Sequence, residues 1–437
     1  MAATATVQLS TWQRIILVAV VLALAFGMVY YYFGVLLPIR DRVLLSLWGV
    51  RGCHSDLYPR WLGARELLTH HRNPYSDEVT REIQLGFYGR SLDPSKPTER
   101  ADSEAFAYPV YVVFLLAPFL GFPFASVQIT CIWLIYLCTL ASIPLWIRGL
   151  GLSLPPLAFL LSAVIVMSSY ATVDGAHLQQ LTLVVAFLLA ATFALLSRGN
   201  LVAAGVLLAL ATIKPHLVLL PAAFLLLWAI SEWSSRKRFV VGFAGSMLLL
   251  LLASEVVLPG WIRLWRQALR EYARAHNPPA LGTMLGLPLS IFAFTIGIVL
   301  CGIAFWRARK EQAGSTRFSI AVVSALILTE LTIPNAGGGA FYNDVLLIPV
   351  VVWLFVCGTE LARKSPLGWL AWGLALVALA GQWLLASLVS FAVLVLHHTF
   401  QHEVSFFVGG PELLAFLSPF ALAFFMLSIA RHLYRTA

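Results

Sequence analysis

The chain alternates between long apolar runs and short polar breaks, and this spacing predicts its secondary structure. Thirteen apolar stretches lie near residues 15–37, 107–121, 124–147, 152–171, 178–197, 201–213, 215–231, 239–258, 286–305, 318–334, 343–358, 367–396 and 413–430. Most are long enough to predict helices that cross a bilayer, because about 20 apolar residues of helix span the hydrocarbon core. The pattern therefore predicts an all-α, polytopic integral membrane protein.

The composition supports this fold class. Hydrophobic residues make up 60% of the 437 residues and the mean hydropathy is +0.86, whereas soluble domains are about 45–50% apolar. The first run, 15–37, is too long for a signal-peptide core and lacks a small-residue cleavage site, so we expect a retained first transmembrane helix. One transmembrane domain is predicted over residues 1–437. Basic residues in short loops account for the net charge of +9, and nucleic acid is not an expected partner.

Basic residues also predict the orientation of the helices. Arg14 precedes the first run, and Arg431 and Arg435 follow the last, so the positive-inside rule places both chain ends in the cytoplasm. Two cytoplasmic ends require an even number of crossings, so one of the thirteen stretches is not a span. We expect this to be 107–121, which is short and contains two prolines.

This topology gives about 12 transmembrane helices, within a range of about 10 to 13. The alternative joins 201–213 to 215–231 as one span and lets 107–121 cross, which would put Arg148 and Arg198 outside. On the preferred topology, residues 38–106 form a large first extracytoplasmic loop. The protein is then a multi-pass protein of the cell membrane whose site faces the extracytoplasmic side.

Charged residues concentrate in this first loop, which holds ten of the 29 Lys/Arg and ten of the 20 Asp/Glu. Two amphipathic juxtamembrane helices are predicted inside it. The apolar face of the first consists of Leu57, Trp61, Ala64 and Leu68. The second should begin after a Ser76 cap and bury Val79, Ile83 and Phe87. Lying flat on the membrane, the two helices would cover an outward-facing polar cavity.

Asp56 stands at the start of the first of these helices, close to where the first span leaves the bilayer. A carboxylate there could accept the proton of a hydroxyl arriving from water, which is the task of a general base. The alternative is that Ser55 or Asp56 only caps the helix.

Several ordered motifs resemble those of a known family. They are Asp56-Leu57 with Trp61, Gly63-Ala64 and Asn73-Pro74-Tyr75; Phe106-Ala107-Tyr108-Pro109; "DGAHLQQLTLV", 174–184; and "GNLVAAGVLLALATIKPHLVLLP", 199–221. In this order they resemble glycosyltransferase family 87, the polyprenol-phosphate-mannose-dependent mannosyltransferases of the GT-C superfamily. The second half departs from the family, since "PNAGGGAFYNDVLLIP", 334–349, stands where some members carry a histidine-rich signature.

The resemblance implies a GT-C-type fold and an inverting transfer of a hexose, mannose in this family, from a polyprenyl-phosphate donor to a lipid or glycan acceptor. Asp56 matches the catalytic aspartate of the family. A leaving phosphate needs cationic stabilisation, for which Lys214, His216 and Arg60 are the candidates. Lys214 could equally be a snorkelling lysine at a helix end, His216 an ordinary helix-end histidine, and Arg60 an ion-pair partner of Asp56.

Six further residues are candidates for binding the sugar or the acceptor: Asp174, His177, Gln179, Tyr75, Asn343 and Asp344. A basic stripe on an outer helix could contact anionic lipid head groups or face solvent; it consists of Arg263, Arg266, Arg270 and Arg274. Residues of metal-ligand type but without an established ligand spacing are His397, His398, His402 and Glu403. No metal site or other cofactor is therefore expected, although a divalent cation stays open.

The alternative function is that of a transporter or lipid flippase without glycosyl transfer. Transporters commonly show internal repeats and polar sites at the membrane midplane, whereas here no convincing repeat is found and polar groups gather towards one face. A scaffold protein would not explain that concentration. The chain has neither a P-loop nor a Rossmann glycine fingerprint, and a cytoplasmic sugar nucleotide would be on the wrong side of the membrane. A lipid-phosphate donor resolves this mismatch.

Overall fold

The protein is a bundle of apolar helices. The computed structural model describes residues 10–48, 52–93, 95–96, 104–275, 280–333, 340–363, 366–396 and 408–436, and every regular element there is helical. Seven helices are long and apolar enough to cross a membrane: Thr11–Val43, Phe124–Gly149, Trp233–Val257, Leu287–Ala308, Phe341–Ala362, Pro366–Leu394 and Gly410–Ile429. Helices satisfy their own backbone hydrogen bonds, as a bilayer core requires. The predicted all-α, polytopic membrane class is confirmed.

Shorter helices complete the bundle. Pro156–Ser168 and Tyr170–His177 form a broken pair that is bent by 48°. The remaining apolar helices are Leu181–Ser197, Leu201–Ala211, Pro215–Ser231 and the almost fully buried Thr316–Thr332. Length alone therefore gives seven spans, or eight with the bent pair, and the predicted 12 is compatible with this fold if the shorter helices also cross.

The stretch 107–121 does not form a membrane-crossing helix. It contains the five-residue helix Val112–Leu116 and a single 3₁₀ turn, Ala117–Phe119. Five helical residues rise only about 8 Å, so the prediction that this stretch is not a span is confirmed. The Tyr111 hydroxyl donates to the Thr212 carbonyl at 2.9 Å, which fastens the segment to the bundle.

The first long helix contains a π-helical segment, Tyr31–Leu36. Its start is fixed by a capping box, in which Ser10 and Gln13 bond reciprocally. Tyr31 and Tyr32 are fully buried at the π segment and face the bundle. Such π turns occur frequently at functional sites.

The second helix of the first loop, Asp77–Tyr88, matches its prediction. Ser76 Oγ accepts a hydrogen bond from the Val79 N–H and caps the helix. Val79, Ile83 and Phe87 are buried on one face, and the helix is amphipathic as predicted.

The first helix of the loop, Tyr58–His70, is buried around most of its circumference from Pro59 to Leu67, so it is less amphipathic than predicted. The chain that follows the loop covers it. Trp61 Nε1 donates to the Phe119 carbonyl at 3.3 Å, and a Cβ on Gly63 would lie 2.3 Å from the Phe106 ring. Helical periodicity predicted the inner face, but the sequence could not show that a second segment covers the outer one.

Basic and polar groups join several helix ends at one end of the bundle. Arg236 donates to the carbonyls of Trp228 at 2.9 Å, Arg309 at 2.8 Å and Glu311 at 3.0 Å. Its guanidinium carbon lies 3.9 Å from the Trp228 ring centroid, and its Nη2 forms a salt bridge with the Glu232 carboxylate at 2.8 Å. Because carbonyls at helix ends lack intrahelical partners, one arginine stabilises the C-terminal ends of two helices, Pro215–Ser231 and Leu287–Ala308.

Two helices, Leu201–Ala211 and Trp233–Val257, approach each other through a glycine. A Cβ on Gly242 would lie 2.3 Å from the Val202 carbonyl oxygen. Small residues allow backbones to pack this closely where lipid removes the hydrophobic driving force between helices.

Replacing Gly242 with alanine should therefore lower stability by about 1–3 kcal/mol, because the added methyl meets backbone that cannot rotate away. Gly245→Ala is the matched control: it lies in the same helix, has open space around its Cβ, and gains the same helix propensity. Thermal unfolding in detergent should show a lower Tm for Gly242→Ala and an unchanged or higher Tm for Gly245→Ala. Equal Tm values for the two variants would contradict the close packing.

Candidate active site

Asp56 is tied to a turn more than a hundred residues away. The helix that follows it begins at Tyr58, and its N-cap residue is Leu57, whose apolar side chain accepts no hydrogen bond, so neither Ser55 nor Asp56 holds the predicted N-cap position. The Asp56 N–H donates to the Leu178 carbonyl at 3.0 Å, and Asp56 Oδ2 accepts a hydrogen bond from Gln180 Nε2. The carboxylate thus bonds to the Gln180 turn instead of serving only as the helix cap considered above.

Gln180 connects Asp56 to Lys214. While its Nε2 donates to Asp56, its Oε1 accepts from Lys214 Nζ at 2.7 Å. Lys214 also donates to Thr182 Oγ1 at 2.6 Å, and the Thr182 hydroxyl donates to Asn343 Oδ1 at 2.9 Å. We refer to these five residues as the Asp56–Lys214 cluster. It joins a carboxylate and an ammonium through one amide.

Lys214 is a buried cation held by neutral groups. It is 6% exposed, and its Nζ lies 5.8 Å from the Tyr108 ring centroid and 5.3 Å from that of Tyr342. Gln180 and Thr182, the acceptors of its hydrogen bonds, carry no charge. Burial lowers the pKa of Lys214 from its ordinary 10.5, because a low-dielectric environment disfavours the ammonium form. An anion bound nearby would relieve this penalty.

Lys214 also lies below the end of a neighbouring long helix. The helices Leu201–Ala211 and Trp233–Val257 run in the same direction. Near the start of the first helix Val202 packs on Gly242, and just after its end Thr212 Oγ1 contacts Met247 Sδ at 3.4 Å. The longer helix continues ten residues beyond Met247, which corresponds to about 15 Å. The ammonium is therefore well inside the bundle rather than at its rim.

Arg60 and Tyr108 stand beside the cluster. Arg60 Nη1 donates to the Asp56 carbonyl at 2.6 Å, and its guanidinium carbon lies 4.6 Å from the Tyr108 ring centroid. Glu104 lies 3.9 Å from the same guanidinium. The Tyr75 hydroxyl donates to the Tyr108 carbonyl at 2.6 Å. Arg60 thus lies within reach of the site, while Tyr75 supports the backbone of Tyr108.

Gln179 supports the turn and does not enter the cluster. Its φ of +54° is in the left-handed region, and its Oε1 accepts from Ser55 Oγ and, at 3.1 Å, from Gln128 Nε2. Its Nε2 donates to the Ala176 carbonyl at 3.1 Å. Because Ser55 precedes Asp56, these bonds fix the backbone from which the carboxylate extends.

Asp174 belongs to a neighbouring polar group, which we call the Arg40 cluster: Arg40, Tyr32, Tyr170, Asp174 and Glu412. Asp174 Oδ1 accepts from the Tyr32 hydroxyl at 2.8 Å and from Arg40 Nη1 at 3.2 Å. Arg40 also pairs with Glu412, which accepts from the Tyr170 hydroxyl at 2.7 Å. These bonds tie the first and last long helices to the turn that leads to the Asp56–Lys214 cluster.

Three other candidates are not hydrogen-bonded to that cluster. The His177 ring centroid lies 5.7 Å from that of Tyr32, beside the Arg40 cluster. His216 is exposed on its helix. Asp344 interacts with Glu330 inside the bundle. Of the sequence candidates, the structure therefore brings together Asp56, Lys214, Asn343 and Arg60.

Sequence reasoning missed several residues around the site, including Gln180, Thr182, Tyr108 and Tyr342. Gln180 and Tyr108 lie within the motifs that resemble those of the family, so these motifs could have identified both residues as site candidates. The sequence analysis named Gln179 and not Gln180, because only the left-handed conformation of Gln179 shows which of the two adjacent amides reaches Asp56.

Some predicted positions lie outside the described residues: His397, His398, His402 and Glu403, together with the side chain of Arg274. Within the described ranges, no group of three or more His, Cys, Asp or Glu residues could hold a metal ion.

The model of glycosyltransferase family 87 matches residues 106–334, more than half of the chain. The match contains Gln180, Thr182 and Lys214 but begins after Asp56 and ends before Asn343. No curated protein and no solved structure matches the chain significantly. With its bundle of apolar helices, the chain belongs to glycosyltransferase family 87 and is a membrane glycosyltransferase.

Proposed function

We propose that the protein transfers a hexose, mannose by its resemblance to the family, from a polyprenyl-phosphate donor to a hydroxyl of a lipid or glycan acceptor. The transfer inverts the anomeric carbon and takes place at the extracytoplasmic face of the cell membrane, on a GT-C-type fold. The observation that carries the proposal is the hydrogen-bonded path from Asp56 through Gln180 to Lys214.

In the proposed reaction, the acceptor oxygen attacks the anomeric carbon from the side opposite the phosphate. A new glycosidic bond forms, the bond from the anomeric carbon to the phosphate oxygen breaks, and its electron pair leaves with the phosphate. Asp56 takes the proton of the acceptor hydroxyl. Its side chain suits this role because Gln180 and the Leu178 carbonyl fix the residue, which reduces the ordering needed before reaction.

Lys214 would stabilise the charge that develops on the leaving phosphate. A phosphate oxygen is a stronger acceptor for an ammonium than a neutral amide or hydroxyl, so it could replace Gln180 or Thr182 as a partner of Nζ. Arg60 lies beside the same cluster and would add a second cation. His216, which is exposed, has less support for this role than Lys214 and Arg60.

The distribution of basic residues supports an extracytoplasmic site. The helix that begins after Gln180 ends at Ser197, next to Arg198, and the helix that begins after Lys214 ends at Ser231, shortly before Arg236. The basic turns and the Asp56–Lys214 cluster are thus at opposite ends of the same helices. The positive-inside rule assigns the basic end to the cytoplasm. On the other side, a sugar carried on a lipid phosphate provides an activated donor without a sugar nucleotide.

Asp56→Asn should lower kcat for sugar transfer by about 100- to 10,000-fold, the usual contribution of a general base. The amide oxygen can still accept from Gln180, so folding and membrane insertion should be unchanged. Asp77→Asn, which changes an exposed first-turn aspartate in the next helix, is the matched control and should stay active. Transfer of radiolabelled sugar from polyprenyl phosphate measures both variants. Full activity in Asp56→Asn would eliminate this residue as the base.

Lys214→Met keeps most of the length of the side chain but removes its charge, and it should lower kcat/KM for the donor by about 10- to 150-fold. This corresponds to the loss of about 1.5–3 kcal/mol from one charged hydrogen bond. Lys237→Met, at an exposed position near the opposite end of the bundle, should retain wild-type kinetics. Unaltered donor kinetics in Lys214→Met would mean that the lysine only marks a helix end.

The lowered pKa of Lys214 predicts a pH dependence of donor binding. Only the ammonium form attracts phosphate, so KM for the donor should rise as the pH increases through the lowered pKa, at a less alkaline pH than for an ordinary lysine. In Lys214→Arg the KM should stay flat over the same range, because a guanidinium remains charged. Donor KM measured from about pH 7 to about pH 10 tests this; parallel profiles in both proteins would assign the titration to another group.

A further inference from the structure

The Trp261–Ala275 helix has two chemically different faces. One face packs against the segment beside the Asp56–Lys214 cluster. Trp261 is 2% exposed and its ring centroid lies 5.9 Å from that of Tyr111. Trp265 Nε1 donates to the Ala107 carbonyl at 3.2 Å. The face of the helix that carries the two tryptophans is therefore covered by other residues of the chain.

The other face carries three exposed arginines, Arg263, Arg266 and Arg270. They line a cavity of about 660 Å³ together with Glu255, at the end of the preceding helix, and Gly260, in the turn between the two helices. The Glu255 carboxylate accepts a hydrogen bond from the Gly260 N–H at 2.7 Å. Among the residues that the structure describes, none of the three guanidinium groups forms an ion pair. The cavity is thus positively charged and its cations are available to an external anion.

An apolar surface leads to this cavity. The helix Trp233–Val257 ends at the cavity. Only 11% of its most apolar 18-residue segment is buried within the bundle. Leu249, Leu252 and Val256 are exposed and recur at helical spacing, so they form one apolar face that ends next to Glu255. In a bilayer this face is covered by hydrocarbon chains.

We propose that the cavity binds the phosphate headgroup of an anionic membrane phospholipid, whose chains lie along the exposed face of the Trp233–Val257 helix. An arginine guanidinium can donate two parallel hydrogen bonds to the oxygens of one phosphate, and such charge-assisted hydrogen bonds are strong. The volume lies within the range of about 300–1,000 Å³ that is usual for ligand pockets. A free anion would make no use of the adjoining apolar face, whereas a phospholipid fits both parts of the surface.

This phospholipid site is distinct from the proposed sugar-transfer site. Its arginines are on the outer face of the Trp261–Ala275 helix, while the inner face packs beside the Asp56–Lys214 cluster. Lipid binding at this position would hold the helix in place from outside. The inference goes beyond the proposed function and does not depend on the identity of the sugar donor.

The test is lipid retention by the full-length protein, measured by native mass spectrometry in detergent with phosphatidylglycerol or phosphatidylcholine of identical chains. The wild type should retain phosphatidylglycerol roughly tenfold more tightly, as the loss of one or more charged hydrogen bonds implies. The triple variant Arg263→Gln, Arg266→Gln, Arg270→Gln should lose this preference. The control, Arg198→Gln, Lys237→Gln, Arg238→Gln, removes as many charges from exposed positions elsewhere and should keep it.

Inorganic phosphate distinguishes a lipid site from a site for free anions. At concentrations matched to the lipid, phosphate should not displace phosphatidylglycerol from the wild type, and full displacement would overturn the proposal. An unchanged lipid preference in the triple variant would also overturn it and would leave the arginines as a solvated face. If the triple variant is unstable, Arg266→Gln alone should show a partial loss. Asp56→Asn should retain phosphatidylglycerol, so failure of the sugar-transfer proposal is separable from failure of this one.

Discussion

Burying a positive charge without an adjacent carboxylate is costly, and the arrangement around Lys214 follows from this constraint. The ammonium is surrounded by the oxygens of Gln180 and Thr182 and by two tyrosine rings, which offset part of the lost hydration. Because the Gln180 oxygen is directed to Lys214, its NH₂ group is directed to Asp56. The buried cation thereby orients the amide, and the amide orients the carboxylate.

The neighbouring Arg40 cluster connects this local order to the whole bundle. Tyr32, within the π-helical segment of the first long helix, donates to Asp174, which stands six residues before Gln180. Glu412 adds the last long helix through Arg40 and Tyr170. The turn that carries the bridging glutamine is therefore held from both ends of the chain, which gives Asp174 a structural role whether or not it contacts sugar.

The fold class followed from the sequence because a bilayer imposes a coarse rule: apolar runs of a certain length become helices. Lys214 and Asp56 could be singled out because they lie in the motifs that resemble those of the family. The burial of Tyr58–His70 could not be predicted, because its cover comes from a segment some fifty residues later in the chain. The pairing of Asp174 with Arg40, and the choice of Gln180 over Gln179, depend likewise on tertiary packing and on one left-handed residue. The periodicity of apolar residues predicts neither the tertiary packing nor the left-handed residue.

The depth of Lys214 has a consequence for the surrounding membrane. Phosphate groups of lipids normally lie in the headgroup layer, yet the ammonium is about ten helical residues, or about 15 Å, below the end of the adjacent helix. If the donor is a lipid phosphate, as proposed, its phosphate has to pass below that helix end to reach Lys214, and a bilayer that is thinner beside the short Leu201–Ala211 helix would ease its entry.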